Sequence, residues 1–209
     1  MRRNFVIIVV IIFLAILCLS SKYYSAVPVP SLKTSPALSG NVWHNKDIPI
    51  SDAQSRITKK PFGVFISPQS SPVSPEKFTG YHTGTDFEIF PGEENQDIKV
   101  YAFCDGELAL KKYATGYGGV AIQRCTLNNQ DVTIVYGHLK LISITSAQGV
   151  FMKRGDMLGI LGKGYSPETD GERKHLHLGI HKGTDINILG YVSKHSELSS
   201  WMDSSRFLY

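Results

Sequence analysis

Lys174-His175-Leu176-His177-Leu178-Gly179-Ile180 alternates residue by residue between a polar and an apolar side. Side chains two apart on a strand share a face and stand roughly 7 Å from each other. Leu176, Leu178 and Ile180 therefore predict a core-facing side, and His175 and His177 predict a side that lines a site. One histidine of such a pair can bind a metal while the other stands beside it.

Two further segments extend the pattern. The β-branched run Val132-Thr133-Ile134-Val135-Tyr136 leads into Gly137-His138-Leu139, which reads as a strand end carrying His138. Upstream, His82-Thr83-Gly84-Thr85-Asp86 places a histidine and a carboxylate four residues apart. On a straight strand those side chains would lie roughly 13 Å apart, too far to share an ion. A bend is required, and Gly84 is the residue free to adopt positive φ. The segment predicts a turn feeding a strand, with Asp86 at the strand's start and Phe87 and Ile89 on its other face.

Zinc favours imidazole nitrogen and carboxylate oxygen, and a catalytic zinc site uses three protein ligands with the fourth position open. His82, Asp86, His175 and His177 are the candidate ligands, with His138 nearby in the reading. No HExxH occurs, so no helix glutamate is available as a base and a histidine must carry the proton. A lone histidine beside a carboxylate is more often a hydrogen-bonded residue than a ligand; three such segments together point to chemistry.

In this order, His-x-Gly-x-Asp-Phe, Tyr-Gly-His-Leu and His-Leu-His resemble the lysostaphin/LytM-type zinc endopeptidases of metallopeptidase family 23, which cut peptide cross-bridges of bacterial peptidoglycan. The resemblance runs from about Phe62 to Ile180. It takes in Val100-Tyr101-Ala102, Asp105-Gly106, the turn Gly116-Tyr117-Gly118-Gly119 before Val120-Ala121-Ile122, and Gly155-Asp156-Met157-Leu158-Gly159. It implies a mainly β single domain of antiparallel sheets with an open catalytic groove. It also implies one Zn2+ on His82, Asp86 and His177, with His138 and His175 as the catalytic pair; their division of labour stays open. The chain departs from the family at Glu168 to Lys174, a charged stretch expected to rim the cleft, and at Gly179, where the family commonly has an acid. His181 has the parity of His175 and His177 but is expected at the rim. For the tyrosine that some members place near the oxyanion, Tyr81 and Tyr136 are the candidates.

Met1-Arg2-Arg3-Asn4 followed by the unbroken apolar run Phe5 to Leu19 predicts a signal peptide or a membrane anchor at 1–20. Its 15 apolar residues fall below the roughly 20 that span a bilayer comfortably. Either form implies an extracytoplasmic protein, in periplasm, cell wall or on the outer face of the membrane. A lipoprotein is disfavoured because Leu17 precedes Cys18. The formal charge is +4, and Arg2 and Arg3 account for +2 of it. The remainder is too weak and too scattered to argue for nucleic acid. Without the leader two cysteines remain, Cys104 and Cys125, and strands at Glu107 to Lys112 and Val120 to Cys125 would bring them near the same end of a hairpin. A disulfide and a pair of buried thiols are both compatible with that spacing.

Pro28, Pro30 and Pro36 among small residues mark a linker. The division expected is leader at 1–20, linker and N-terminal arm at 21–46, and enzyme at 47–209; Ile48 and Ile50 belong to a stretch expected to pack onto the domain. Helical periodicity is absent apart from a short segment near Ser196 to Met202. The function expected is hydrolysis of peptidoglycan stem peptides or cross-links by a monomer. The alternatives are an inactive domain of the same fold that regulates another wall hydrolase, and a secreted peptidase acting on protein substrates.

Overall fold

Antiparallel pairing organises residues 48–208, which are those that the computed structural model describes. The expected leader at 1–20 and the linker and arm at 21–46 lie outside the described residues. In chain order a helical turn α1 (Ala53–Arg56) precedes β1 (Phe65–Ile66), β2 (Gly80–His82), β3 (Gly84–Glu88), β4 (Lys99–Tyr101), β5 (Gly106–Ala114) and β6 (Gly118–Leu127). There follow β7 (Gln130–Leu139), β8 (Phe151–Met152), β9 (Met157–Ile160), β10 (His175–Lys182), β11 (Tyr191–Val192) and β12 (Trp201–Met202). The main sheet has the order β12-β10-β7-β6-β5-β8, with β3 also on β10; β1-β2-β11 and β4-β9 form two smaller sheets. The fold is mainly β, as expected. The segment read as a helix near Ser196 to Met202 is instead a 3₁₀ turn over His195–Ser200 that leads into β12.

β10 holds the centre because its alternation satisfies two environments at once. Leu176, Leu178 and Ile180 enter the principal core with Phe87, Leu108, Ala121, Ile134, Tyr136 and Leu139. Fully burying such a side chain stabilises the fold by about 1.5–3 kcal/mol, so a one-residue slip that exposed three of them would be prohibitive. That holds the register: His177 faces Asp86 on β3 and Gly137 on β7, and His175 faces Glu88. On the opposite face, Tyr117, Val120, Ile122, Val135 and Trp201 form a second, smaller cluster.

Two tight turns follow from their residues. β5 and β6 are joined through Gly116, whose φ is 84°, and β6 and β7 through Asn128 and Asn129, both at positive φ (50° and 61°), as a two-residue hairpin requires. Cys104 and Cys125 are joined by a disulfide. Ile48, Ile50 and Ala53 are buried in the principal core, so the described part of the stretch that holds Ile48 and Ile50 packs onto the domain.

Candidate metal centre

The bend between His82 and Asp86 falls at Thr83, which separates β2 from β3. Its amide donates to the Gly190 carbonyl at 3.0 Å and its hydroxyl to the Leu189 carbonyl. Gly84 is not at positive φ, contrary to the expectation from sequence, and Asp86 is the middle residue of β3, not its first. Gly84 is needed for a different reason: a Cβ there would lie 2.7 Å from Cε1 and Nε2 of His177 and from the Leu178 carbonyl oxygen. Packing, not backbone freedom, selects glycine.

With the chain so folded, three ligand atoms converge. His82 Nε2 lies 3.0 Å from His177 Nδ1 and 3.2 Å from Asp86 Oδ1, and His177 Nδ1 lies 3.1 Å from the same oxygen. Four-coordinate zinc with ligands at about 2.0–2.1 Å needs neighbouring donors about 3.3 Å apart, so the triangle has the size to hold a metal ion. His82 Nδ1 donates to the Pro61 carbonyl at 3.2 Å, because a carbonyl can only accept; the lone pair is thereby placed on Nε2, inside the triangle. All three residues are buried.

Burial would raise the Asp86 pKa, but the charges of His175 and His82 and hydrogen bonds from His175 and His177 hold its carboxyl well below 3.8. Burial lowers the His177 imidazole from 6.5 to about 4 despite the Asp86 hydrogen bond. At neutral pH a carboxylate and a neutral imidazole therefore face the triangle, the ionisation states that ligation needs.

His138 and His175 stand beside it with ring centroids 4.2 Å apart. His138 reaches this face by a phase change in β7. Val132, Ile134 and Tyr136 point into the principal core, yet Leu139, of opposite parity, does so too. The left-handed backbone at His138, φ 62°, and a register shift against β6 make the switch. Burial and the neighbouring His175 keep the His138 imidazole well below 6.5, so it is neutral and able to accept a proton. His175 Nδ1 donates to the Arg173 carbonyl at 2.9 Å, and its Nε2 lies 3.3 Å from Asp86 Oδ2.

Tyr117 completes this face, 5.3 Å from the His177 ring and 5.5 Å from the His138 ring. Gly137 admits it, since a Cβ there would fall 2.3 Å from Tyr117 Cδ1. The hydroxyl is buried without a partner among the described residues, as are His138 Nδ1 and His177 Nε2. Burial and then the Asp86 charge raise its pKa, so it remains a donor. Tyr191 packs on His82 at 5.2 Å, and its hydroxyl receives a hydrogen bond from Lys60 Nζ at 3.1 Å.

Of the tyrosines named from sequence, Tyr136 turns away: its hydroxyl donates to Gln123 Oε1 at 2.6 Å and accepts from the Phe103 amide in the core. Tyr81 packs on Phe65 and His195. His181 lies half-buried against Trp201, outside the triangle. The stretch expected to rim the cleft is divided. Asp170 is exposed, but Glu172, Arg173 and Lys174 are buried, and Arg173 hydrogen-bonds Asp86. Arg173 precedes β10 and carried only the signal of its place two residues before His175; Tyr117 carried only the weaker signal of an aromatic set among turn glycines.

The sequence model "Peptidase family M23" matches residues 80–188, just over half of the chain. No curated protein matches. Among solved structures the chain is similar to the catalytic domain of the antimicrobial peptidase lysostaphin from Staphylococcus simulans, at 20% identity over 75% of this chain and 96% of that one, with a TM-score of 0.46. LytU is 21% identical over 72% of this chain and 84% of its own, with a TM-score of 0.44. Helicobacter pylori Csd3 is 24% identical over 71% of this chain and 34% of its own, with a TM-score of 0.42. The chain thus spans about a third of the length of Csd3.

Proposed function

The chain belongs to peptidase family M23, and from that premise we propose that it is a zinc metallo-endopeptidase hydrolysing amide bonds in stem peptides or cross-links of bacterial peptidoglycan. The observation that carries the proposal is the buried triangle of His82 Nε2, Asp86 Oδ1 and His177 Nδ1, with edges of 3.0–3.2 Å and two further histidines beside it. These three residues would hold one zinc ion, which supplies Lewis acidity to polarise the scissile carbonyl and acidify water.

The remaining groups manage protons and charge. His138, kept neutral by burial, accepts the proton of the attacking water. His175, with its Nδ1 proton committed to the Arg173 carbonyl, uses Nε2 to pass a proton to the leaving amine. Tyr117 directs its unpartnered hydroxyl to the oxygen that gains charge as the tetrahedral intermediate forms. The site is assembled from one chain, in keeping with a monomer. The Cys104–Cys125 disulfide supports an oxidising, extracytoplasmic location. We place the protein in the cell envelope, with residues 5–19 as leader or membrane attachment and 47–209 as the enzyme.

The test is digestion of purified cross-linked peptidoglycan with zinc present, with products read by mass spectrometry. New amine and carboxyl ends at one bond are expected. His138→Ala should keep its zinc and lose turnover by about two to four orders of magnitude, whereas His82→Ala and Asp86→Ala should lose both. Zinc loss in His138→Ala would show that the roles are misassigned. No cleavage by a folded, zinc-loaded protein on several wall types would favour a regulatory domain.

A further inference from the structure

We infer that Arg173 is a positioning residue that leaves Asp86 a single oxygen for the metal, an inference that rests on the zinc reading above. Nη2 of Arg173 donates to Asp86 Oδ2 at 2.8 Å and to Glu88 Oε1 at 2.5 Å, while Nε donates to Glu88 Oε1 at 3.1 Å and Oε2 at 2.9 Å. The three side chains are 9%, 2% and 8% exposed. Asp86 Oδ2 is also approached by His175 Nε2 at 3.3 Å, whereas Oδ1 faces His82 and His177. The two oxygens of one carboxylate are thus given different work.

The arrangement follows from strand geometry. Residues 86 and 88 share one side of β3, and 175 and 177 share the facing side of β10, with His177 opposite Asp86 and His175 opposite Glu88. Arg173 lies two residues ahead of His175, just before β10 begins, and its long side chain reaches both carboxylates. A planar guanidinium can hold two acceptors at fixed angles, which a lysine ammonium cannot. Glu88 grips the guanidinium along Nε and Nη2 and so aims it, and Lys59 Nζ lies 3.6 Å from Glu88 Oε2 at the half-exposed end of the network. The backbone of the same residue orients the His175 ring. Arg173 therefore sets a metal ligand with its side chain and a proton carrier with its carbonyl.

The experiment replaces zinc by cobalt(II) in the full chain and compares visible absorption, together with zinc affinity by chelator competition. The paired variant Glu88→Met with Arg173→Met removes the network without leaving either Glu88 or Arg173 as an unpaired buried charge, and Arg173→Lys keeps the charge while removing the fork. In both, Asp86 Oδ2 is released from Arg173, and the cobalt bands should lose intensity as that oxygen joins a four-coordinate ion as a fifth donor. Zinc binding should weaken roughly 10–100-fold. The spectrum decides. Wild-type bands in both variants overturn the inference while leaving the zinc reading standing. If the unaltered protein takes up neither metal, the zinc reading itself falls and the inference with it. Circular dichroism of the metal-free forms checks folding; should the paired variant not fold, Arg173→Lys carries the test.

Discussion

At His138 the backbone stands at φ 62°, a conformation that costs a side-chain-bearing residue of order 1–3 kcal/mol. Histidine is among the residues more often found there, and the reward is positional: the ring joins His175 while Leu139 enters the core. Tyr117 depends on its neighbours in the same way, lying against Gly137 with its hydroxyl unpartnered among the described residues. Tyr117→Phe removes one donor and nothing else from this packing. Removing one such donor typically lowers kcat by about 10²–10³, and that loss is expected with metal content unchanged. Steady-state hydrolysis and metal analysis of the same preparation check both halves, and undiminished kcat would remove Tyr117 from the reaction.

Between elements, the decisive contact is β3 against β10. Their register carries Asp86 to His177, and Gly84 leaves room for the His177 ring, which a Cβ there would meet at 2.7 Å. Gly84→Ala places a methyl 2.7 Å from both that ring and the Leu178 carbonyl, so a side chain and a backbone must yield together. Overpacking of this kind costs about 1–3 kcal/mol, and because the ring that moves is a proposed ligand, zinc affinity should fall at least tenfold. Thermal denaturation and chelator competition measure the two effects; wild-type affinity would mean that the ring tolerates displacement. Alternation in KHLHLGI made β10 legible from sequence and supplied the correct faces. That alternation ends at His175, and the charged composition around Arg173 predicts a solvated rim where the structure buries the side chain. Charge is a poor guide to burial when an opposite charge waits on the adjacent strand.

For the whole molecule, the buried histidines set how the metal-free protein responds to acid. The unfolded chain protonates histidine near 6.5, but burial keeps His177 neutral down to about 4 and keeps His138 well below 6.5. The unfolded state binds more protons across that window, so the stability present above pH 6.5 falls as pH drops toward 4. Asp86, held below 3.8, adds its loss only under that value. Urea midpoints of the metal-free protein should decline from pH 7 to pH 4.5, and hydrolysis by the zinc form should fall below about pH 6 as protons compete for ligand nitrogens. A flat midpoint would contradict the buried neutral imidazoles. The sequence by itself determined the strand faces and the mainly β class and named His82, Asp86, His138, His175 and His177 as candidates, because alternation and ligand chemistry are local properties of a chain. Only the tertiary structure decided which nitrogens meet, that Thr83 makes the bend, that Cys104 joins Cys125, and that Tyr117 and Arg173 belong to the site. His82 and His177 are 95 residues apart, and no local rule reaches that far; their 3.0 Å approach is set by strand register and by the packing of two apolar clusters on opposite faces of one sheet.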